Sequence, residues 1–373
     1  TENPPIVAIF TYHNALGERA GTVNYQTQGL AYSVDKGKTW TKYEANPVLL
    51  NPGIRDFRDP KVTQITKEDG KKSWLMTLAV KDRIQFYESP NLKDWMLLGE
   101  FGQGVGAHGG VWECPDLLSM KAPDGSQKWV LLVSMNPGGP QKGSATQYFI
   151  GNFKQGVFTP DDKMIRWLDY GPDNYAGVTW SNLPADQDRT LWIGWMSNWD
   201  YAQVVPTTTW RSATTIPREI SLFDVDGTLL LKSAPARELE KLRKTSYTIS
   251  KTESLLPSTA VEILSEVSSD DQFSLTLSNE LGEELTISKE MGLVTIDRRK
   301  SGKTNFNRDF AASHSAPMSW KAESIRVFLD ASSVELFVNE GELVLTSTLF
   351  PSSPWKKVKF NQGLDALQIL NLQ

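Results

Sequence analysis

Only one cysteine, Cys114, occurs in the 373 residues. No internal disulfide can form, and no zinc site can be assembled from thiolates. Histidine is almost as scarce: His13, His108 and His314 are scattered along the chain, which argues against a His-rich metal centre. No Asn stands in an Asn-x-Ser/Thr sequon, which disfavours a glycosylated eukaryotic secreted protein. The expected setting is bacterial, secreted or periplasmic, with a cytoplasmic location left open. No apolar run approaches the roughly 20 residues of a membrane span, so none is expected. The longest runs, such as Ser73–Val80, have the length of strands. Positive charge is not in surplus: Lys plus Arg is 39 against 44 Asp plus Glu, a formal net charge of −5. A mildly acidic chain without a basic stripe is a poor nucleic-acid binder, and a neutral ligand is expected. The start, Thr1-Glu2-Asn3-Pro4-Pro5, carries neither Met nor a signal-peptide pattern, so processing or truncation is expected to have removed what came before.

What remains is ordinary globular composition, 39% hydrophobic and 22% charged, which excludes a disordered chain. The length suits two domains, or three small ones. The unusual number is 13 Trp, of which all but Trp320 and Trp355 lie between Trp40 and Trp210. Large aromatics pack cores, and they also form the flat walls of sugar-binding clefts; cores should take the larger share. The change in Trp density coincides with the charged stretch Arg237–Arg243, whose leucines have helical spacing. The expected organisation is a first domain over 1–228, a linker with a short helix over 229–243, and a second domain over 244–373.

The first domain reads as strands. Short apolar runs recur between Gly, Pro, Asn and Asp clusters without long helical periods. They fall into fours: Lys61–Ile65, Ser73–Val80, Arg83–Glu88 and Trp95–Gly99; then Trp112–Leu118, Trp129–Met135, Gln147–Gly151 and Val157–Thr159; then Tyr175–Ser181, Thr190–Met196, Ser212–Ile216 and Ile220–Phe223. Four-stranded units repeating at this spacing are the pattern of propeller blades. Ser33-Val34-Asp35-Lys36-Gly37-Lys38-Thr39-Trp40 fits the S-x-D-x-G-x-T-W turn of several propellers, with Ser89–Trp95 as a looser relative; each is expected to tuck its Trp beneath a blade. The first group holds only Ile6–Tyr12, Gly29–Ser33 and Trp40–Tyr43, so the chain is expected to begin inside a blade. The second domain carries at least seven alternating strands, with a hairpin around Asn339-Glu340-Gly341, and reads as a β-sandwich.

Chemistry is expected where inner strands of a propeller open onto its channel. The inferred inner strands start at Arg55-Asp56-Phe57-Arg58-Asp59-Pro60, at Trp112-Glu113-Cys114-Pro115-Asp116 and at Asp169-Tyr170-Gly171-Pro172-Asp173-Asn174-Tyr175. An Asp before Pro is usually turn chemistry, but acidic residues recurring at one rim suit glycoside hydrolysis, which needs paired carboxylates facing one cleft. Glu113, among Trp112, Cys114 and Pro115, should have its pKa raised by desolvation, which suits a general acid. Arg58 should keep Asp59 ionised if the two pair. Cys114 lacks a nearby His motif and reads as a small residue lining the site rather than a nucleophile.

These residues carry a resemblance. Arg58-Asp59-Pro60, Trp112–Asp116, Asp173–Gly177 and Trp195-Met196-Ser197-Asn198-Trp199 are similar to motifs of glycoside hydrolase family 32, the invertases, levanases and inulinases. Thr214–Glu219 and Phe328–Phe337 resemble the same family further on, and the likeness covers nearly the whole chain. It implies an all-β fold, a five-bladed propeller joined to a β-sandwich, and retaining hydrolysis of β-fructosides in fructans or sucrose. It implies Glu113 as acid/base, Asp59 as the stabiliser that grips fructose hydroxyls, and Arg58, Asp173 and Trp195 as fructosyl-binding residues. No metal or organic cofactor is implied. The family's nucleophile is an Asp in an N-D-P-N-G-like motif, which does not occur in these residues. The expectation is that an N-terminal segment of about 100 residues, a blade and a half, would supply it as a partner in cis or in trans. The rival readings are a related propeller enzyme, an arabinan hydrolase or sialidase, and a carbohydrate-binding protein without catalysis.

Overall fold

The fold comes from a computed structural model, which describes residues 4–67, 69–184, 187–268 and 271–372. Two compact units divide the chain. The first runs through Met120 and adds Gln127–Asn136 and Gln147–Arg166; the second holds Lys121–Ser126, Pro137–Thr146 and the chain from Trp167 onward.

The first unit is built on three sheets, each taking its strands in chain order. One holds β1 (Ile6–His13), β2 (Gln26–Ser33) and β3 (Thr41–Lys42), the three strands the sequence leads one to expect. The next holds β4 (Phe57–Thr66), β5 (Lys72–Val80), β6 (Arg83–Ser89) and β7 (Met96–Phe101). The third holds β8 (Val111–Lys121), β9 (Gln127–Asn136), β10 (Ala145–Lys154) and β11 (Val157–Pro160). Such up-and-down meanders are the form of a propeller blade. Phe57, Met76, Leu78, Val80 and Tyr87 form one of the buried cores of this unit. Asp35 holds the turn after β2 together, accepting from the Ser33 hydroxyl at 2.8 Å and from the Thr39 amide and hydroxyl at 2.9 and 2.7 Å. That turn is structural, as read. Its Trp40, however, is not tucked beneath the sheet: it is 47% exposed and turns its indole N–H back to Gly37 O.

In the second unit β12 (Tyr175–Thr179), β13 (Thr190–Met196), β15 (Arg218–Val225) and β16 (Thr228–Pro235) follow one another across a sheet, and β14 (Ala213–Thr214) pairs with β13. Two expectations need correcting. Ser212–Ile216 is not a full strand: only Ala213 and Thr214 pair with β13, and Pro217, which has no N–H, cannot extend the ladder. Thr228–Pro235 is not linker but the sheet's last strand, paired from Val225↔Thr228 to Arg218↔Pro235. Asp226-Gly227, with φ of +50° and +82°, makes the tight turn between β15 and β16, a hairpin signal present in the sequence. The short helix then falls at Arg237–Leu242, and it is a 3₁₀ helix.

Residues from Ser246 onward form two six-stranded sheets, with their buried faces sharing one core that includes Val261, Leu275, Ile296, Val327, Leu336 and Leu367. The hairpin expected around Asn339–Gly341 joins Ser333–Val338 to Leu343–Thr348. Leu343–Thr348 is the last strand of its sheet. Its outer edge is closed by the segment leading into β12: Tyr170 N–H donates to Val344 O, Asp173 N–H to Thr346 O, Thr346 N–H to Asp169 Oδ1 and Thr348 N–H to Asp173 Oδ2. Two carboxylates thus take the place of strand carbonyls, and an edge that could pair with another chain is covered.

Candidate active site

In the first unit the starts of β4 and β8 stand side by side. The link is Lys81, whose N–H donates to Asp56 O at 2.9 Å and whose O accepts from Trp112 N–H at 2.6 Å. Four residues here, none a glycine, have left-handed backbones: Asp56 at φ +57°, Asp59 at +61°, Lys81 at +56° and Cys114 at +46°. Such conformations are costly and persist only where surroundings enforce them. At Asp59-Pro60 the ladder between β4 and β5 shifts register between Arg58 and Lys61. This bulge accommodates a proline, which has no N–H to donate, and turns Asp59 out of the pleat.

The side chains meet there. Arg58 spans two carboxyls, with Nη1 2.6 Å from Asp56 Oδ1 and Nη2 2.7 Å from Glu113 Oε1. Arg58 and Glu113 are 19% and 21% exposed, buried enough to feel desolvation and open enough to meet a ligand. The expectation that Arg58 pairs with Asp59 is corrected: the guanidinium reaches past it to Asp56 and Glu113. Asp59 is held from two other sides. Its N–H donates to Thr11 Oγ1 at 3.0 Å, and its Oδ2 accepts from Cys114 N–H at 3.0 Å, with the thiol 3.8 Å away. Gln28, reached by the Thr11 hydroxyl, ties this corner to Phe57 O, and Gln26 accepts from Phe57 N–H.

Electrostatics separate the groups. Burial raises the Glu113 pKa above its ordinary value; Arg58 opposes the rise, and the charges of Asp59 and Asp56 add to it. Burial works against the Arg58 cation, but its bonds to Glu113 and Asp56 outweigh that and hold it charged. Cys114 is pushed far up by burial and then by the Asp59 and Glu113 charges, so it stays a thiol and not a nucleophile. A buried acid beside a fixed cation, with a second carboxyl anchored on a backbone amide, can hold a proton for a leaving group and grip hydroxyls.

The remaining sequence-predicted residues lie in the second unit. Trp195 is half-buried, with Trp199 at 5.1 Å and the edge of Tyr175 at 6.1 Å between ring centroids. Trp199 is 49% exposed, so part of an aromatic group faces solvent. Asp173 differs from expectation. It is fully buried, and Arg298 Nη1 at 2.6 Å, the Tyr201 hydroxyl at 2.6 Å and Thr348 N–H at 2.9 Å occupy its two oxygens. Asp169, at the same inferred rim, is likewise buried against Arg218 at 2.9 Å. What matches the Arg58-Asp59 corner in the second unit is Tyr175-Ala176: the β12–β13 register shifts between Tyr175 and Val178, and Ala176 has φ +50°. Sequence reading missed Tyr25, whose hydroxyl donates to Asp56 Oδ1 at 3.1 Å. For Asp56 a signal existed, since it stands two residues before Arg58 and alternate residues of a strand share a face. Among the described residues no cluster of His, Cys, Asp and Glu is placed to hold a metal ion, and no helix is long and apolar enough to cross a membrane.

Comparison with known proteins agrees with this architecture. The profile of the glycosyl hydrolases family 32 N-terminal domain matches residues 1–233, and that of the glycosyl hydrolases family 32 C-terminal domain matches residues 237–372. The chain belongs to glycosyl hydrolase family 32. It is 39% identical to a levanase of Bacillus subtilis over 99% of this chain, and spans 56% of that protein's length. It superposes on the crystal structure of an exo-inulinase from Aspergillus awamori with a TM-score of 0.86 at 30% identity, covering 100% of this chain and 80% of that one. A fructofuranosidase from Schwanniomyces occidentalis complexed with fructose gives a TM-score of 0.80 at 28% identity, covering 98% and 78%. The all-β class expected from the sequence, blade-like sheets followed by a β-sandwich, is that of these relatives.

Proposed function

We propose that this chain carries the acid/base and the hydroxyl-gripping carboxyl of an enzyme that cleaves β-fructosidic bonds in fructans or sucrose with retention. The observation that carries the proposal is the Glu113–Arg58–Asp56 arrangement beside Asp59, a raised carboxyl held to a fixed cation at 2.7 Å. The relatives act as support: one is named a levanase and another an exo-inulinase. Glu113 gives its proton to the glycosidic oxygen as the bond to the anomeric carbon breaks and a carboxylate nucleophile bonds that carbon as a glycosyl ester, so the leaving sugar departs neutral. In the second half Glu113 takes a proton from the water that attacks the same carbon and displaces that carboxylate. Asp59 accepts hydrogen bonds from fructose hydroxyls, and its negative charge favours the ring most when that ring becomes cationic. The attack itself is assigned to no residue of this chain. Trp195 offers part of an aromatic face to a sugar. Asp173 drops out of the substrate-binding set, since buried partners occupy its oxygens.

The test is Glu113→Gln in the protein that carries this chain. Turnover of sucrose or levan should fall by roughly 10²- to 10⁴-fold, the scale of general acid catalysis. A β-fructoside whose leaving group is already a good one, such as p-nitrophenolate, should lose far less in the step that releases it. Equal losses on both substrates would sink the assignment.

A further inference from the structure

We propose that Asp56, held by Tyr25, is a positioning residue that fixes Arg58 so that only one arm of its guanidinium is left for Glu113. The inference rests on the acid/base reading of Glu113. Arg58 has two terminal nitrogens, and the structure gives one to each carboxyl: Nη1 to Asp56 Oδ1 at 2.6 Å and Nη2 to Glu113 Oε1 at 2.7 Å. A planar guanidinium can grip one carboxylate with both arms. Asp56 prevents that here by occupying the inner arm. Asp56 is itself fixed at both ends. Its carbonyl accepts from Lys81 N–H at 2.9 Å, its backbone is left-handed at φ +57°, and its Oδ1 also accepts from the Tyr25 hydroxyl at 3.1 Å. A strained aspartate kept in place by a buried-side phenol needs an explanation that folding alone does not supply.

The charged and titratable neighbours define the sign. Around Glu113 stand Arg58 and Asp56 on the β4 side, Asp59 at the bulge, and Cys114 next in the chain. Around Tyr25 stand the Arg55 guanidinium, 5.5 Å from the ring centroid, and the His13 imidazole, edge-on at 5.3 Å. Lys61 and Asp116 pair at 3.1 Å further along the same two strands. Removing the Asp56 charge takes away a repulsion that favours protonated Glu113 and frees the second arm of Arg58 for the ionised form. Both effects make Glu113 lose its proton at lower pH.

The experiment follows the Glu113 carboxyl by carbon-13 NMR titration of this 373-residue chain, with the resonance assigned by its loss in Glu113→Gln. Asp56→Asn should lower the Glu113 midpoint by about one pH unit. Tyr25→Phe should lower it in the same direction by less, and Asp56→Glu should restore part of the shift. In the protein that carries this chain, the basic limb of the kcat/KM profile should move down with the same order of variants, because only protonated Glu113 can act as acid. A purely structural Asp56 would lower activity at every pH and leave the midpoint in place. An unmoved midpoint in folded Asp56→Asn, or in Tyr25→Phe if the first variant fails to fold, overturns the proposal. The titration needs no turnover. If Glu113→Gln costs both substrate types equally while the midpoint still shifts, the acid assignment fails and the positioning of Arg58 by Asp56 stands.

Discussion

His314 shows what burial does to one side chain. It lies in the sandwich at 4% exposure, opposite Ile296 in the ladder, and burial, with the Arg298 charge next, pushes its pKa down to about 3 from 6.5. The folded protein therefore keeps this ring neutral while the unfolded chain protonates it below about pH 6.5. The unfolded state then binds more protons, so the stability present above that pH is lost as pH falls toward 3. At pH 4 the loss should be about 3 kcal/mol. His314→Asn should remove that much of the difference between the unfolding free energies at pH 7 and pH 4, whatever it costs at pH 7. An acid slope identical to that of the parent would show that other groups carry it. Residues of the candidate site were legible in the sequence where their partners are local or sit at equivalent strand starts, as with Arg58, Asp59 and Glu113. The buried pairing of Asp173 is not legible there, because its partner Arg298 stands 125 residues away and no local pattern announces it.

Strands were legible for a related reason. Period-two alternation is a property of a few adjacent residues, and it marked the cores of the meanders and of the sandwich. What escaped were strand limits set by other elements. β4 begins before Lys61 because a bulge absorbs Pro60, and β16 was hidden because linker polarity and edge-strand polarity look alike. The segment covering the edge of Leu343–Thr348 is invisible to periodicity, since it is not a strand. It requires close approach of two backbones, and Gly171 provides that: a Cβ there would lie 2.1 Å from Thr346 O and 2.2 Å from Thr346 N. Backbone atoms on both sides leave little room to yield. Gly171→Ala should cost about 2–3 kcal/mol, as overpacking does, and should expose the amides of Thr346 and Thr348 to hydrogen exchange. Protection at those two amides equal to the parent's would show that the segment shifts without releasing the edge.

Two buried arginines tie the second unit into one body. Arg218 meets Asp169 at 2.9 Å, Glu335 at 2.6 Å and the Thr346 hydroxyl at 2.7 Å, with the Phe337 ring centroid 5.0 Å away. Arg298 meets Asp173 at 2.6 Å and the Tyr201 hydroxyl at 2.9 Å, over the Phe310 ring at 3.8 Å. Each joins residues near the β12–β16 sheet to residues of the sandwich. Breaking such a pair on one side leaves an uncompensated buried charge, at a cost of about 3–5 kcal/mol. Arg298→Met should show that loss in chemical denaturation, and Arg298→Met with Asp173→Leu should regain more than half of it. Simple additivity of the two substitutions would show that the pair contributes little as a pair.

The left-handed position just inside β4, β8 and β12 is one backbone form carrying three different residues, Asp59, Cys114 and Ala176. Its shape belongs to the peptide chain and not to the side chain, so it works as a mould with an exchangeable insert. Swapping the insert alters what each strand start presents, acid, thiol or methyl, while the strand around it keeps its course. New reactivity can therefore be drafted at such a strand start by single substitutions, and an inert residue in the same backbone form serves as a ready blank for the next one.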